Sequence, residues 1–285
     1  MTITSVLAAS AAAKSVPVVA APAGTAGEQA CGDLPFQLFR GYVIIAEGSL
    51  GGLTGRHLLI DTGSSPTVLD AAVARQLGLA GRRADLLLLN NDARVRASLL
   101  STLVLGPIRA LALPVLVADL SLIQKDLGTR IDAIIGLDVL RTSFVIDYHA
   151  RRISFGPSPR LVNSIPFETG SPFVTVTMRV DGDPVRLLVD TGASGLLLFY
   201  GEHYRSKPLP LMRVQSSTNI SGTFNLEQVE LSDVRLGGLH RQKQTAYVVR
   251  TPERASGDFD GLMGIPALGI KQVAFDFERG MLSWK

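Results

Sequence analysis

The chain has 285 residues, of which 46% are hydrophobic and 19% charged, and its formal net charge is +3. This composition is typical of a globular protein with one large domain or two small ones, and it excludes disordered, collagen-like and coiled-coil chains. No basic run is longer than two arginines, so a nucleic-acid partner is not expected.

Several common catalytic signatures are absent from the sequence. The single cysteine, Cys31, excludes an internal disulfide and a cysteine-built zinc site. The four histidines are scattered, and the chain contains no HExxH, GxSxG, GxGxxG or GxxxxGK[ST] motif. We therefore expect neither a metal nor another cofactor.

Residues 1–34 are expected to be an export signal or a disordered tail. Ala21-Pro22-Ala23 has the small-x-small form of an export cleavage site, but a basic leading region is missing and Lys14 interrupts the apolar run. The first alternative implies a periplasmic or secreted protein and the second a cytoplasmic one. No apolar stretch is long enough to predict a transmembrane helix.

The elements that follow are mostly predicted to be β-strands. Residues 41–46 and 56–60 form two apolar runs separated by a glycine-rich loop, which is typical of paired strands. A short helix is predicted from Ala71 to Leu77, with Asp70 as its N-cap and Gly78 as its stop.

The second half repeats this strand pattern. Residues 173–178 alternate in polarity and are rich in β-branched side chains, and Asp181-Gly182 predicts a tight turn into a strand over 185–189. Further hairpins are predicted around Ile146 and Ile153 and around Phe275 and Leu282.

An internal repeat relates the two halves. Residues 57–65 align with 186–194, so that Asp61-Thr62-Gly63-Ser64-Ser65 matches Asp190-Thr191-Gly192-Ala193-Ser194. Two more blocks recur in the same order at nearly the same spacing: Ile134-Ile135-Gly136 with Leu262-Met263-Gly264, and Asp147 with Asp276. The chain therefore contains two copies of one unit, over 35–158 and 168–285, with a linker that begins at Gly156-Pro157-Ser158-Pro159.

In each copy an apolar strand runs directly into Asp-Thr-Gly. A single such motif is explained by an Asx-turn, but two at equivalent positions favour packing about a pseudo-twofold axis. Asp61 and Asp190 would then face each other and share a proton, because two adjacent carboxylates do not both ionise easily. One carboxylate can accept a proton from water while the other protonates a carbonyl oxygen, which suits amide hydrolysis without a metal.

These residues resemble the catalytic loops of aspartic proteases, and Ile134-Ile135-Gly136 with Leu262-Met263-Gly264 resembles the second signature of that family. The closest similarity is to retropepsin-like proteases of the bacterial single-chain kind, over nearly all of residues 35–285. The resemblance implies an all-β protein with two similar β-barrel lobes and short helices. The absence of a tyrosine between residues 80 and 100 argues against the pepsin branch.

The resemblance also implies roles for individual residues. Asp61 and Asp190 would be the catalytic dyad, Thr62 and Thr191 would cross-link the two loops, and Gly63 and Gly192 would lie against the substrate. Ser64 is expected to donate to the outer oxygen of Asp61, which Ala193 cannot do for Asp190. This asymmetry predicts that Asp61 is the more readily ionised partner.

Flaps over the cleft are expected at residues 86–98 and 215–226. The first is unusually polar, with Asn90, Asn91, Asp92 and Arg94. The second contains Ser221-Gly222-Thr223-Phe224, from which Gly222, Thr223 and Phe224 are predicted to contact substrate, although an ordinary surface hairpin explains this stretch equally well. Asp132 and Asp260, four residues before the signature glycines, are predicted to cap turns.

The sequence therefore predicts a two-lobed aspartic endopeptidase that acts on polypeptides as a monomer. One alternative is a catalytically inactive module that binds peptides with the same fold. Another is an assembly of two chains in which lobes pair across subunits.

Overall fold

The computed structural model describes residues 9–10, 31–88, 92–168, 172–199, 211–249 and 259–285, and β-strands dominate it. The strands of the first half are β1 (Ala9–Ser10), β2 (Gly32–Phe39), β3 (Val43–Leu50), β4 (Leu53–Ile60), β5 (Ser64–Ser65), β6 (Val68–Asp70), β7 (Arg82–Leu87), β8 (Asp92–Leu105), β9 (Ile108–Ala118), β10 (Ala133–Ile135), β11 (Phe144–Asp147) and β12 (Arg152–Phe155). Three short helices accompany them: α1 (Ala71–Gln76), α2 (Ser121–Leu127) and α3 (Leu137–Leu140).

The second half has the same character. Its strands are β13 (Asn163–Pro166), β14 (Thr175–Val180), β15 (Asp183–Asp190), β16 (Leu196–Phe199), β17 (Leu211–Asn219), β18 (Gly222–Leu236), β19 (Leu239–Val249), β20 (Gly261–Gly264), β21 (Gln272–Asp276) and β22 (Met281–Trp284). One 3-10 helix (Ile265–Leu268) follows β20. The predicted all-β, two-lobed fold is confirmed.

The local predictions hold closely. Helix α1 begins after Asp70, whose side chain accepts the N–H of Ala72 at 2.8 Å, and Gly78 follows the helix with a positive φ of 64°. Asp181 and Gly182 both have positive φ and join β14 to β15, as a type I′ turn requires. The first strand of the lobe, β2, begins at Gly32, three residues before the predicted start of the unit.

In each lobe, the strand that carries the second signature pairs with the strand that leads into the Asp-Thr-Gly loop. In the first lobe β10 runs parallel to β4 and antiparallel to β6, and in the second β20 runs parallel to β15 and antiparallel to β16. The second signature therefore lies directly beside the Asp-Thr-Gly loop in both lobes. The local sequence patterns did not predict this parallel pairing, because the paired segments lie far apart in the sequence.

The two lobes share one sheet. The closing hairpins β11–β12 and β21–β22 join through antiparallel pairing of β11 with β21, and β2 and β13 flank them. Val145 pairs directly with Ala274, its own equivalent in the repeat, so the pseudo-twofold axis passes between these two residues. The rings of Phe144 and Phe275 stack across the same junction, with centroids 4.7 Å apart.

Candidate active site

The two Asp-Thr-Gly loops meet on the pseudo-twofold axis and are bonded to each other through their threonines. The Thr62 N–H donates to Thr191 Oγ1 at 3.0 Å, and the Thr191 N–H donates to Thr62 Oγ1 at 3.1 Å. Each hydroxyl then donates to the opposite lobe, Thr62 to the carbonyl of Val189 at 2.7 Å and Thr191 to that of Ile60 at 3.0 Å. Four buried hydrogen bonds thus fix one loop against the other.

The glycines of these loops bring each loop against the opposite aspartate. A Cβ atom on Gly63 would lie 2.5 Å from Asp190 Cγ, and one on Gly192 would lie 2.9 Å from Asp61 Oδ2. A side chain at either position would collide with a carboxyl group. Glycine is therefore required for the two carboxyls to approach each other.

Both aspartates are completely buried at this junction. Asp61 Oδ1 accepts the N–H of Gly63 at 2.8 Å, and Asp190 Oδ1 accepts the N–H of Gly192 at 2.7 Å. The Oδ2 atoms are also buried, and apart from the opposite carboxyl no group of the described residues donates to them. These oxygens are free to share a proton or to bind water.

Burial raises the pKa of both carboxyls. The pKa of Asp61 is held well above its usual range by desolvation first, then by the charge of Asp190 and the hydrogen bond between the two side chains. Desolvation raises the pKa of Asp190 to about 6, while the hydrogen bond from Asp61 acts in the opposite direction. The pair therefore holds one shared proton over the acidic range.

The Ser64 hydroxyl does not make the hydrogen bond predicted for it. The Ser64 hydroxyl donates to the carbonyl of Pro66 at 3.3 Å rather than to Asp61. The expected asymmetry therefore lacks its hydrogen bond, and the order in which Asp61 and Asp190 ionise stays a prediction. A hydroxyl next to a turn has several acceptors within reach, and the sequence does not show which one it chooses.

Two further aspartates hold the strands that lead into the loops. Asp132 Oδ2 accepts the N–H of His57 at 2.8 Å, and Asp260 Oδ2 accepts the N–H of Arg186 at 2.8 Å. These contacts join residues 75 and 74 positions apart, so they are not the local turn or capping contacts that were predicted. Asp132 also forms ion pairs with Arg56 and Arg130, at 3.5 and 2.8 Å.

Sequence analysis missed one supporting residue, Asp138. Its two carboxylate oxygens accept the N–H of Thr67 at 2.9 Å and the Thr67 hydroxyl at 2.8 Å, and that hydroxyl in turn accepts the N–H of Gly136 at 3.2 Å. This network ties the segment after the first loop to the second signature. The sequence indicates Asp138 only by its position two residues after Gly136. The second copy of the repeat does not support it, because Pro266 stands at the equivalent position.

The two predicted flaps are hairpins. The first, β7–β8, carries Arg94 on an exposed surface, whereas Asn90 and Asn91 lie outside the described residues, as does the side chain of Asp92. The second, β17–β18, turns at Ile220 and Ser221, and Ile220 packs against the apolar cluster of the first lobe.

The residues predicted to contact substrate begin β18 beside this turn. Gly222 pairs with Asn219, Thr223 with Thr218 and Phe224 with Ser217. Thr223 is exposed, and Phe224 packs partly against the core. The hairpin thus reaches from the second lobe across to the first.

A chain segment also lies in the gap between the first flap and the first loop. β1 pairs in parallel with Ser64–Ser65, directly after Asp61-Thr62-Gly63, and antiparallel with Leu87 of the first flap. The gap is therefore wide enough for one extended strand.

Among the described residues, no group of three or more His, Cys, Asp or Glu side chains is placed to hold a metal ion. Among the helices of that part of the chain, none has the length and apolar character to span a bilayer.

The duplicated all-β lobes and the paired Asp-Thr-Gly loops define a two-lobed protein of the aspartic protease class. The sequence model of an aspartyl protease family matches residues 46–139 and again residues 176–267, which together exceed half of the chain. The chain therefore belongs to the aspartyl protease family, and the two matches coincide with the two copies of the repeat. No curated protein matches the sequence.

Proposed function

We propose that this protein is an aspartic endopeptidase and that Asp61 and Asp190 are its catalytic residues. The observation that carries the proposal is the pair of buried carboxyls, held opposite each other by the crossed threonine bonds, with a raised pKa on both. A proton shared between two carboxyls supplies a base and an acid in one site.

In the proposed reaction the ionised carboxyl of the pair accepts a proton from a water molecule as the water oxygen attacks the peptide carbonyl carbon. The protonated carboxyl of the pair donates to the carbonyl oxygen, so that a neutral tetrahedral diol forms. When the C–N bond breaks, the first carboxyl returns its proton to the departing nitrogen and the second recovers its proton from a diol hydroxyl. Thr62 and Thr191 act as positioning residues, because they hold the two loops in register.

The substrate is proposed to bind as an extended strand between the flaps and the dyad. The pairing of β1 with Ser64–Ser65 and Leu87 supports this mode, since it provides backbone partners on both sides of a strand. Gly222, Thr223 and Phe224 at the second hairpin are proposed to cover the substrate and limit the entry of water.

The test is cleavage of a denatured protein by the full chain across acidic to neutral pH. Asp61→Asn and Asp190→Asn should each reduce kcat/KM by roughly a hundredfold to ten-thousandfold. Glu47→Gln, which alters an exposed acid, is the matched control and should leave the rate unchanged. Binding of the denatured protein without cleavage at any pH would instead identify an inactive peptide-binding module.

A further inference from the structure

One face of the first flap carries a cluster of arginines. In the pairing of β7 with β8, Arg83 lies opposite Arg96 and Asp85 opposite Arg94, and residues opposite each other share a face of the sheet. All four side chains are exposed, whereas Leu86 and Val95 on the other face are buried in the first lobe. We call these four residues the arginine face.

Among the described residues the arginine face has a surplus of positive charge, because its three arginines are opposed only by Asp85. In the part of the chain that the structure describes, the side chains of Arg83, Arg94 and Arg96 make no hydrogen bond or ion pair. Arg83 and Arg96 lie directly opposite each other, and like charges in that arrangement destabilise a strand pair. The hairpin therefore carries an unfavourable arrangement that an anionic partner would relieve.

In the described part of the chain, the edge of β7 that faces away from β8 is mostly unpaired, and we call it the open edge. On the side away from β8, only Leu87 among the described residues of β7 is paired, with Ser10 of β1. An edge with free N–H and C=O groups accepts an added strand. Because β1 runs antiparallel to β7, a strand continued in the direction of β1 would pass Asp85 and then reach Arg83, four residues beyond the contact with Leu87.

We propose that the arginine face and the open edge of β7 form a binding site for an acidic segment of the polypeptide substrate, beyond the contact with Leu87. This inference rests on the proposed function. The site pairs backbone groups along one strand and places Arg83 and Arg96 beside acidic side chains of that strand. A polypeptide fits better than a nucleic acid, because only a peptide can pair with the edge and because Asp85 lies within the cluster.

The first experiment measures binding without requiring cleavage. Fluorescence anisotropy compares a labelled peptide in which glutamate alternates with threonine, its counterpart with glutamine in place of glutamate, and a labelled single-stranded oligonucleotide. The glutamate peptide should bind more tightly than the glutamine peptide, and added salt should reduce the difference. The Arg83→Gln/Arg96→Gln variant should weaken binding of the glutamate peptide roughly threefold to tenfold.

Two variants serve as controls. Arg83→Lys/Arg96→Lys keeps the charge and should retain most of the binding. Arg109→Gln removes an exposed arginine at the far end of the β8–β9 hairpin and should have no effect. On an acidic substrate that the enzyme cleaves, Arg83→Gln/Arg96→Gln should raise KM by a similar factor and leave kcat unchanged.

Three results would overturn the proposal. The first is equal binding of the glutamate and glutamine peptides. The second is tighter binding of the oligonucleotide than of the glutamate peptide, if that binding is lost in Arg83→Gln/Arg96→Gln. The third is aggregation of Arg83→Gln/Arg96→Gln with unchanged peptide binding, which would mean that the arginines only protect the edge from self-association. If the peptide result holds but no substrate is cleaved, the proposed function fails and the binding site stands.

Discussion

At the scale of single residues, each threonine of the two loops serves both lobes. The Thr62 hydroxyl accepts from the Thr191 N–H and donates to the carbonyl of Val189, and Thr191 does the same in the other direction. Each hydroxyl therefore satisfies two buried backbone groups of the opposite lobe. These hydrogen bonds therefore fix the position of the two carboxyls relative to each other.

The first prediction follows from these threonine hydrogen bonds. Thr62→Val keeps the shape of the side chain but leaves the Thr191 N–H and the Val189 carbonyl without partners, which should lower the free energy of unfolding by about 2–4 kcal/mol. Thr62→Ser keeps the hydroxyl and should lose less than half of that. Urea denaturation of the three proteins measures the difference, and equal stabilities of the Val and Ser variants would contradict the role of the hydroxyl.

The second prediction concerns pH and the dyad. A carboxyl whose pKa is raised on folding binds more protons in the folded state, so stability falls as pH rises from the unfolded pKa, near 3.8, through the folded value of about 6 for Asp190. The decrease from Asp190 alone should be about 3 kcal/mol, most of it between pH 4 and 6, and the fall should continue above pH 6 because the pKa of Asp61 is also raised.

Denaturant unfolding at a series of pH values measures this slope. The double variant Asp61→Asn/Asp190→Asn should lack it, whereas Glu47→Gln should retain it. A slope that persists unchanged in the double variant would place its origin in other groups.

Much of this site could be predicted from the sequence, since the duplication identifies Asp61, Asp190 and both threonines by their equivalent positions. The contacts of Ser64 and Asp138 could not. The Ser64 contact depends on how one hydroxyl rotates among nearby acceptors. The Asp138 contact joins residues 71 positions apart, and no local pattern connects them.

At the scale of elements, the second signature supports the Asp-Thr-Gly loop in each lobe. β10 and β20 lie against the loops so closely that a Cβ atom on Gly136 would meet the Ser64 carbonyl oxygen, and one on Gly264 would meet that of Ala193. The local patterns correctly predicted helix α1 and the β14–β15 hairpin, because caps and turns depend on neighbouring residues. They could not predict the parallel pairing of β4 with β10, because its partners lie 75 residues apart.

The third prediction tests how the first lobe holds its loop. Asp138→Ala removes the acceptors of the Thr67 N–H and hydroxyl, and Thr67 is fully buried, so the free energy of unfolding should fall by about 1–3 kcal/mol. Because Thr67 follows the Asp61 loop, kcat should fall more than KM rises. Asp138→Asn keeps one acceptor, so its free energy of unfolding and its kcat should lie between those of the wild-type protein and of Asp138→Ala. A fall in stability without any change in kcat would limit Asp138 to a structural role.

At the scale of the whole molecule, the lobes are two copies of one unit that share a sheet. The axis passes between Val145 and Ala274 in the shared sheet, and it relates Thr62 to Thr191 in the site. Pairing of β11 with β21 therefore determines where the two aspartates meet. Because the dyad and the shared sheet lie on the same axis, a disturbance of one lobe's closing hairpin should affect both lobes.

The fourth prediction follows from this coupling. Phe275 is fully buried in the shared sheet and stacks on Phe144, so Phe275→Ala should lower the free energy of unfolding by about 3–5 kcal/mol. Hydrogen exchange should speed up by the same factor in β4 of the first lobe and in β15 of the second, because the lobes would open together. Phe224→Ala, at the second flap, should leave exchange in β4 unchanged. Faster exchange in β15 with unaltered protection of β4 after the Phe275 substitution would show that the lobes unfold independently.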